Sequence, residues 1–350
     1  MRFNELFDAQ ITDYHKFNSK NGTVNTPWIE KYRPACLKDI IHQEEVVKVL
    51  QKTLDNGNLP HLLFFGAAGC GKTSSILAIA MELFGPKLFK ERVIELNASD
   101  ERGINVVRNK IVTFAKISIG NADPKYPSPP YKIIILDEAD AMTTEAQSAL
   151  RKTMEDNSAI TRFCFICNYS NKIIEPITSR CVKFRFKPIN SESMILRLQF
   201  IANKEDMIVE NECLKIIANS CQGDMRKAIM LLQNLKYINH IGISAQDVYD
   251  ISGFVPQKVI SKIEHICLTD KNLDIKKIIK FTKRIYAEAY PIHSILLQIS
   301  AFIIYNKNIS DSVKSDICIH ISNIERRLID GADEYLQLLS LILFIKKNLI

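Results

Sequence analysis

Two short runs of this chain combine side chains and spacing suited to handling a phosphate chain. The first is Gly66-Ala67-Ala68-Gly69-Cys70-Gly71-Lys72-Thr73, followed by Ser74. It fits GxxxxGKT, with an apolar run, His61 to Phe65, before it and a helical pattern, Thr73 to Phe84, after it. Glycines let such a loop turn its backbone N–H groups inward, and the helix behind it adds the positive end of its dipole. There Lys72 would reach the β- and γ-phosphates and Thr73 would hold Mg²⁺. Ala67, Ala68 and Cys70 fill variable positions and supply no catalytic side chain. The second run is Ile133-Ile134-Ile135-Leu136-Asp137-Glu138-Ala139-Asp140. Four apolar residues bury a strand, and carboxylates emerge at its C-terminal end, where ligands sit in open parallel sheets. Asp137 would bind Mg²⁺, directly or through water, and Glu138 would polarise an attacking water. Alone, two carboxylates could equally cap the next helix. Paired with GxxxxGKT, they imply a site for ATP and Mg²⁺.

Such residues need a sheet to hold them. Strand patterns are expected at 61–65, 92–96, 131–136, 162–167 and 182–186. Helical patterns lie at 73–84, 104–117 and 145–155. Apolar strands alternating with helices predict an α/β core whose parallel sheet is covered on both faces. The segment Gly120 to Pro130, with four prolines, reads as a surface loop. After Lys187-Pro188 the strand signals fade into helices at 191–204, 211–220 and 224–235. Gly253 to Pro256 breaks the pattern, and the remainder reads as helical, with Ile275, Ile278, Ile279, Thr282 and Ile285 on one stripe. The expected division is an extension over 1–26, an α/β core over 27–187, a small helical domain over 188–252 and a terminal helical domain over 253–350.

The bulk composition narrows the classes. A hydrophobic fraction of 47% and a charged fraction of 24% are ordinary for a soluble globular chain. No apolar run approaches the roughly 20 residues that span a bilayer, so no membrane partner is expected. The polar stretch Met1 to Asn25 lacks the apolar segment of a signal peptide. Nine cysteines without framework spacing suit a reduced, intracellular compartment. Cys164-Phe165-Ile166-Cys167 matches CxxC, but in a strand its two thiols point to opposite faces, which argues against zinc. A net charge of +7 permits an anionic partner without requiring one.

Three further runs, with the DEAD run Asp137-Glu138-Ala139-Asp140, carry a family resemblance. Trp28-Ile29-Glu30-Lys31-Tyr32-Arg33-Pro34, Asn97-Ala98-Ser99-Asp100-Glu101-Arg102-Gly103, the DEAD run and Thr178-Ser179-Arg180-Cys181 resemble the small subunits of the clamp loader replication factor C. These form a branch of the AAA+ P-loop ATPases. The likeness runs from about Pro27 to the C-terminus and is weaker after Phe254. Residues 162–169 and Asp330-Gly331-Ala332-Asp333-Glu334 narrow it to the branch typified by yeast subunit 2.

The resemblance implies an AAA+ core, a helical lid and an all-helical C-terminal collar that joins subunits. It implies Asn168 as sensor 1, orienting water or sensing the γ-phosphate. By itself Asn168 could be a strand-end turn residue. It implies Arg226 as sensor 2, which alone would read as surface. Ile29, Tyr32, Arg33 and Ile41 would surround adenine and ribose. Arg180 would enter a neighbour's ATP site as an arginine finger and do nothing for this chain's own ATP. Arg102, Arg108 and Lys110 would follow a DNA backbone, or else form a solvated charged face. Met81, Phe84, Leu88 and Phe89 match the family's clamp contact, or else belong to the core. Arg151, Lys152 and Glu155 resemble a motif coupling DNA occupancy to the ATP site. The family works in the nucleus as a hetero-pentamer, opening the ring-shaped clamp PCNA and placing it on primer–template DNA. A Holliday-junction motor or an origin-binding ATPase is the competing class, and the SRC and EKYRP runs argue against it.

Overall fold

The computed structural model describes residues 26–55, 57–98, 110–115, 117, 120, 122–238, 242–268 and 275–349. They form two compact units that divide between Gly242 and Ile243. The helix Ala245–Ser252 therefore belongs to the second unit.

In the first unit, α1 (Trp28–Lys31) and α2 (Glu44–Asp55) precede β1 (Leu62–Gly66) and α3 (Lys72–Arg92). Then come β2 (Val93–Asn97), β3 (Lys132–Asp137), α4 (Thr144–Asp156), β4 (Thr161–Cys167), α5 (Glu175–Thr178) and β5 (Val182–Phe186). The five strands form one sheet in the order β2-β3-β4-β1-β5, and every pairing is parallel.

Alternation along the strands builds two cores from one sheet. Leu62, Phe64, Ile133, Ile135, Cys164 and Ile166 pack on one face with Ile76, Ile79 and Leu83 of α3. Leu63, Ile134, Leu136, Phe163, Phe165 and Cys167 pack on the other with Leu150 and Met154 of α4. Each fully buried Ile or Phe contributes roughly 1.5–3 kcal/mol, so both faces are strongly specified. Cys164 and Cys167 indeed lie on opposite faces. Burial raises both thiol pKa values, that of Cys167 to about 12. Among the described residues no group of His, Cys, Asp or Glu could hold a metal as a cluster of three.

Helix α3 keeps regular dihedrals to Phe84 and breaks at Gly85, with φ 63°. Pro86 restarts it at a first-turn position, where a missing N–H costs nothing. The Leu83 carbonyl, beside the break, accepts from Ser128 N at 2.9 Å. Phe84 is fully buried, while Leu88 and Phe89 lie half-buried against the same core.

Three helices complete the unit: α6 (Ser191–Lys204), α7 (Asn211–Cys221) and α8 (Met225–Ile238). Asn190 caps α6 by accepting from Ser193 N at 3.0 Å. Asp224 caps α8, its Oδ1 accepting from Arg226 N at 2.9 Å.

The second unit is all helical among its described residues: α9 (Ala245–Ser252), α10 (Gln257–Leu268), α11 (Ile275–Ala287), α12 (Ile292–Tyr305), α13 (Asp311–Ile329) and α14 (Glu334–Leu349). Ile278, Ile285, Ile295, Ile299, Ile317, Ile324, Leu338 and Ile342 share one core. Of the α11 stripe, Ile278, Thr282 and Ile285 are buried, whereas Ile275, at the helix start, is exposed.

Candidate nucleotide site

The loop between β1 and α3 owes its shape to two close backbone approaches. A Cβ on Gly66 would stand 2.3 Å from the Phe186 carbonyl oxygen of β5. A Cβ on Gly69 would stand 1.8 Å from Asp224 Oδ1, and Gly69 has φ +67°. Gly69 O also accepts from Met225 N at 3.3 Å. The loop is thus pinned between the sheet and the start of α8, and only glycine fits there.

Gly71, with φ 93°, occupies the N-cap of α3 and makes no side-chain cap. The first N–H groups of α3 keep their donors for an anion. Lys72 lies beneath them, 8% exposed. Its ammonium donates to Gly66 O at 2.8 Å, Ala67 O at 2.7 Å and Asn168 Oδ1 at 3.0 Å. Burial lowers the Lys72 pKa, opposed by Cys70, Asp137 and Cys167, and Arg226 lowers it further. A buried ammonium among neutral acceptors fits an incoming polyphosphate, which would supply the missing negative charge.

Thr73 Oγ1 donates to Asp137 Oδ2 at 2.8 Å, joining the loop to the end of β3. A hydroxyl and a carboxylate at this spacing form an oxygen pair of the hard type that Mg²⁺ takes, with waters and phosphate completing the shell. Glu138 follows in the left-handed region, φ 53°, and its N–H donates to Asp137 Oδ1 at 2.8 Å. That turn ends the strand and leaves the Glu138 side chain exposed at the cavity. Asp140 Oδ2 accepts from Tyr169 N at 3.3 Å, fixing the backbone next to Asn168.

These groups line a cavity of about 220 Å³. It brings together Ile29, Tyr32, Arg33, Ile41, Ala68, Gly69, Cys70, Gly71, Lys72, Thr73, Ser74, Asp137, Glu138, Asn168 and Arg226. Gly66 and Ala67 are not lining residues and act through the carbonyls that receive Lys72. Sequence patterns missed Pro34, Ile40, Ile189, Arg197, Met225 and Ile229, which complete the lining. Arg197 stands out among them: it is half-buried, and its Nη2 donates to Tyr32 O at 3.0 Å. Burial lowers its pKa, against the pull of Asp39 and Tyr32. Its only signal in the sequence was a basic residue in the helical pattern 191–204.

Arg180 does not line this cavity. It follows α5, and its Nη2 donates to Glu155 Oε1 at 2.6 Å while Nη1 donates to Pro176 O at 2.6 Å. Arg151 Nε shares the same Glu155 oxygen at 3.0 Å. Hydrogen bonding from Arg151 leads the lowering of the Glu155 pKa, and Arg180 adds to it. The buried Gln147 ties α4 to the segment before α5, accepting from Ile174 N at 2.8 Å and donating to Lys172 O at 3.1 Å. Lys110 is exposed on a helical stretch, residues 110–115, whose Ile111 and Ala115 are buried. Arg102 and Arg108 lie outside the described residues, as does the extension before residue 26, apart from that residue itself.

A family model described as "Replication factor C C-terminal domain" matches residues 255–343. "RCF1/5-like, AAA+ ATPase lid domain" matches 196–236, and "DNA polymerase III, delta subunit" matches 42–190. The chain is 48% identical to replication factor C subunit 2 of Oryza sativa, over 89% of this chain and 92% of that one. It is 41% identical to replication factor C subunit 2 of Saccharomyces cerevisiae, over 95% of this chain and 96% of that one. Among solved structures, the Holliday-junction branch migration motor RuvB of Thermotoga maritima superposes with a TM-score of 0.50 at 19% identity. That match spans 77% of this chain and 85% of RuvB, and at such identity it speaks for the AAA+ fold alone.

Proposed function

This chain belongs to the replication factor C family, as an AAA+ ATPase of its small-subunit type, and from that premise we propose that it binds and hydrolyses ATP with Mg²⁺ while its complex opens PCNA, sets it on primer–template DNA and releases it. Its membership in a multi-subunit DNA replication clamp loader follows from the family. Nuclear localisation and a hetero-pentamer with four related subunits belong to the same reading. Three functional parts are proposed: the core over 27–187, the lid over 188–252 and the collar over 253–350. Exposed Ile304, Tyr305, Ile329 and Leu336 support the collar as a contact between subunits.

One observation carries the reading: Lys72, Thr73, Asp137, Glu138, Asn168 and Arg226 converge on one cavity from loop, strand ends and lid. The loop N–H groups and Lys72 would bind the β- and γ-phosphates. Thr73 and Asp137 would hold Mg²⁺, which supplies charge neutralisation at the phosphate oxygens. Asn168 and Glu138 would orient a water in line with the γ-phosphorus, Glu138 drawing off its proton. The water oxygen bonds to phosphorus as the bridge to the β-phosphate breaks, leaving ADP and inorganic phosphate. Ile29, Tyr32, Arg33 and Ile41 would enclose adenine and ribose. Arg226 would report the phosphate state to the lid.

Arg180 is proposed to act on a neighbour's ATP. Its place outside its own cavity, on a half-exposed side chain, supports this. Lys110, with Arg102 and Arg108, is proposed to contact DNA phosphates. The test is ATP turnover by the reconstituted complex. Turnover should rise most when PCNA and primed DNA are added together, and turnover indifferent to both would refute the loader reading.

A further inference from the structure

The nucleotide cavity has two walls of different origin, and one carboxylate joins them. Ile29, Tyr32 and Arg33 come from the segment at α1, whereas Ile189, Arg197, Met225, Arg226 and Ile229 come from the lid side. Glu205, the C-cap of α6, lies between them with its side chain 9% exposed. Its Oε1 accepts from Lys31 Nζ at 2.5 Å and from the Tyr32 hydroxyl. Its Oε2 accepts from Lys236 Nζ on α8 at 2.8 Å, and the same ammonium donates to the Glu205 carbonyl at 3.0 Å. Lid and segment therefore meet on both oxygens of one side chain.

Three further contacts run in parallel. Trp28 N donates to Gln233 Oε1 at 3.1 Å, and Arg197 Nη2 donates to Tyr32 O. The Lys236 ammonium stands 5.3 Å from the centre of the Trp28 ring. Burial opposes ionisation of Glu205, yet hydrogen bonds from Lys236, Lys31 and Tyr32 outweigh it and hold the carboxyl down to about 2. An exposed ion pair would be nearly worthless, but here three donors from two elements share a shielded acceptor. Neutralising it leaves two ammonium groups, Lys31 and Lys236, facing each other without their anion.

We propose that Glu205 is a positioning residue for nucleotide binding: it locks residues 28–33 onto the lid, so that the base-side wall and Arg226 close on the nucleotide as one clamp. The proposal rests on the ATP reading of the cavity. A segment already ordered against the lid need not be ordered at the moment of binding, and affinity rises by that saving. Glu205 does not itself line the cavity, so its effect must pass through the lining residue Tyr32, whose hydroxyl it receives, and its neighbours.

The chain's single tryptophan reports on this lock directly. Trp28 is 6% exposed and packs edge-on against Tyr32, with ring centres 6.2 Å apart. In the full-length chain titrated with ATP and Mg²⁺, Glu205→Gln should weaken ATP affinity about tenfold. The same variant should shift Trp28 emission to the red and open it to quenching by acrylamide. Tyr32→Phe keeps the ring in the cavity and removes one hydrogen bond to Glu205. It should weaken ATP about threefold with a smaller emission change, and it serves if Glu205→Gln does not fold. Wild-type affinity in either folded variant overturns the lock, as does weaker binding with Trp28 emission unmoved. If the wild-type chain does not bind ATP at all, the nucleotide reading itself fails and the lock falls with it.

Discussion

The phosphate end of the cavity and the Arg180 corner present their cations on opposite plans. Lys72 is 8% exposed and already engaged by two loop carbonyls and Asn168. Arg180 has 35% of its side chain exposed and leans on Glu155, a carboxylate it shares with Arg151. A buried cation must be satisfied by its own chain before any ligand comes, so its geometry is set in advance. An exposed cation held by an ion pair in water is bound weakly and can be lent elsewhere at little cost. The difference is the one expected if, as proposed, Lys72 receives phosphate within its own chain and Arg180 is lent to a neighbour.

The sharpest break of that contrast is Arg180→Ala in the assembled complex. It should leave this subunit's own ATP affinity unchanged and slow hydrolysis at a neighbour's site by roughly 10³-fold, the lower end for an arginine finger. Site-resolved single-turnover assays measure it, and lost binding at the chain's own site would collapse the two plans into one.

Lys72→Ala tests the opposite half. Own-site turnover should fall by about 10²–10³-fold, the scale for losing one preorganised donor to developing negative charge. A neighbour that depends on Arg180 should still hydrolyse its ATP.

Gly69→Ala sharpens the claim that the receiving half is set in advance. The new Cβ would collide with Asp224 Oδ1 in a left-handed backbone. Strain of about 1–3 kcal/mol should prise α8 from the loop and weaken ATP roughly tenfold, as read by calorimetry. Unchanged affinity would show that the loop and α8 are not coupled.

Glu155→Gln is the milder probe of the lending half. Thermal stability should hardly move, because the pair is exposed, while a neighbour's turnover should change as Arg180 loses its resting partner. Turnover equal to wild type would make the Glu155 contact incidental.

The smallest effect is a pH slope from the sheet that carries the receiving half. His61, at the entry to β1, is held neutral down to about 4, first by burial and then by Arg162. Its Nδ1 accepts from Phe163 N at 3.1 Å, which needs the neutral ring. Below about pH 6.5 the unfolded chain gains a proton there that the folded chain refuses. Stability should therefore fall as pH drops from about 6.5 towards 4 and stop falling on this account below that. Melting curves across the window check it, and His61→Asn should flatten the slope.

Much of the receiving half was legible beforehand. GxxxxGKT and the apolar run ending in Asp137-Glu138 locate the phosphate end because strand, loop and helix are contiguous in the chain. Strand period also placed Cys164 and Cys167 on opposite faces. On the lid side of the cavity only Arg226 was legible, through the family resemblance. Arg197, Met225 and Ile229 carry no signal beyond helical periodicity and Ile189 carries none, and their approach to the loop depends on how α6 and α8 pack. Glu205, just past the helical pattern 191–204, carries no signal of its own in the sequence. Phe84, matched by the resemblance to the family's clamp contact and otherwise open to a core role, is buried in the core.

The sequence by itself determined the strand-end chemistry, the parallel alternation and the loop that receives phosphate, since each is written in neighbouring residues with period 2 or 3.6. The family resemblance named Ile29, Tyr32, Arg33, Ile41, Asn168 and Arg226 for the nucleotide and kept Arg180 out of its own site; tertiary structure alone added Pro34, Ile40, Ile189, Arg197, Met225 and Ile229 to the cavity. It alone brought Lys31, Tyr32 and Lys236 onto one carboxylate. Such meetings depend on long-range packing, whose distances no local period encodes.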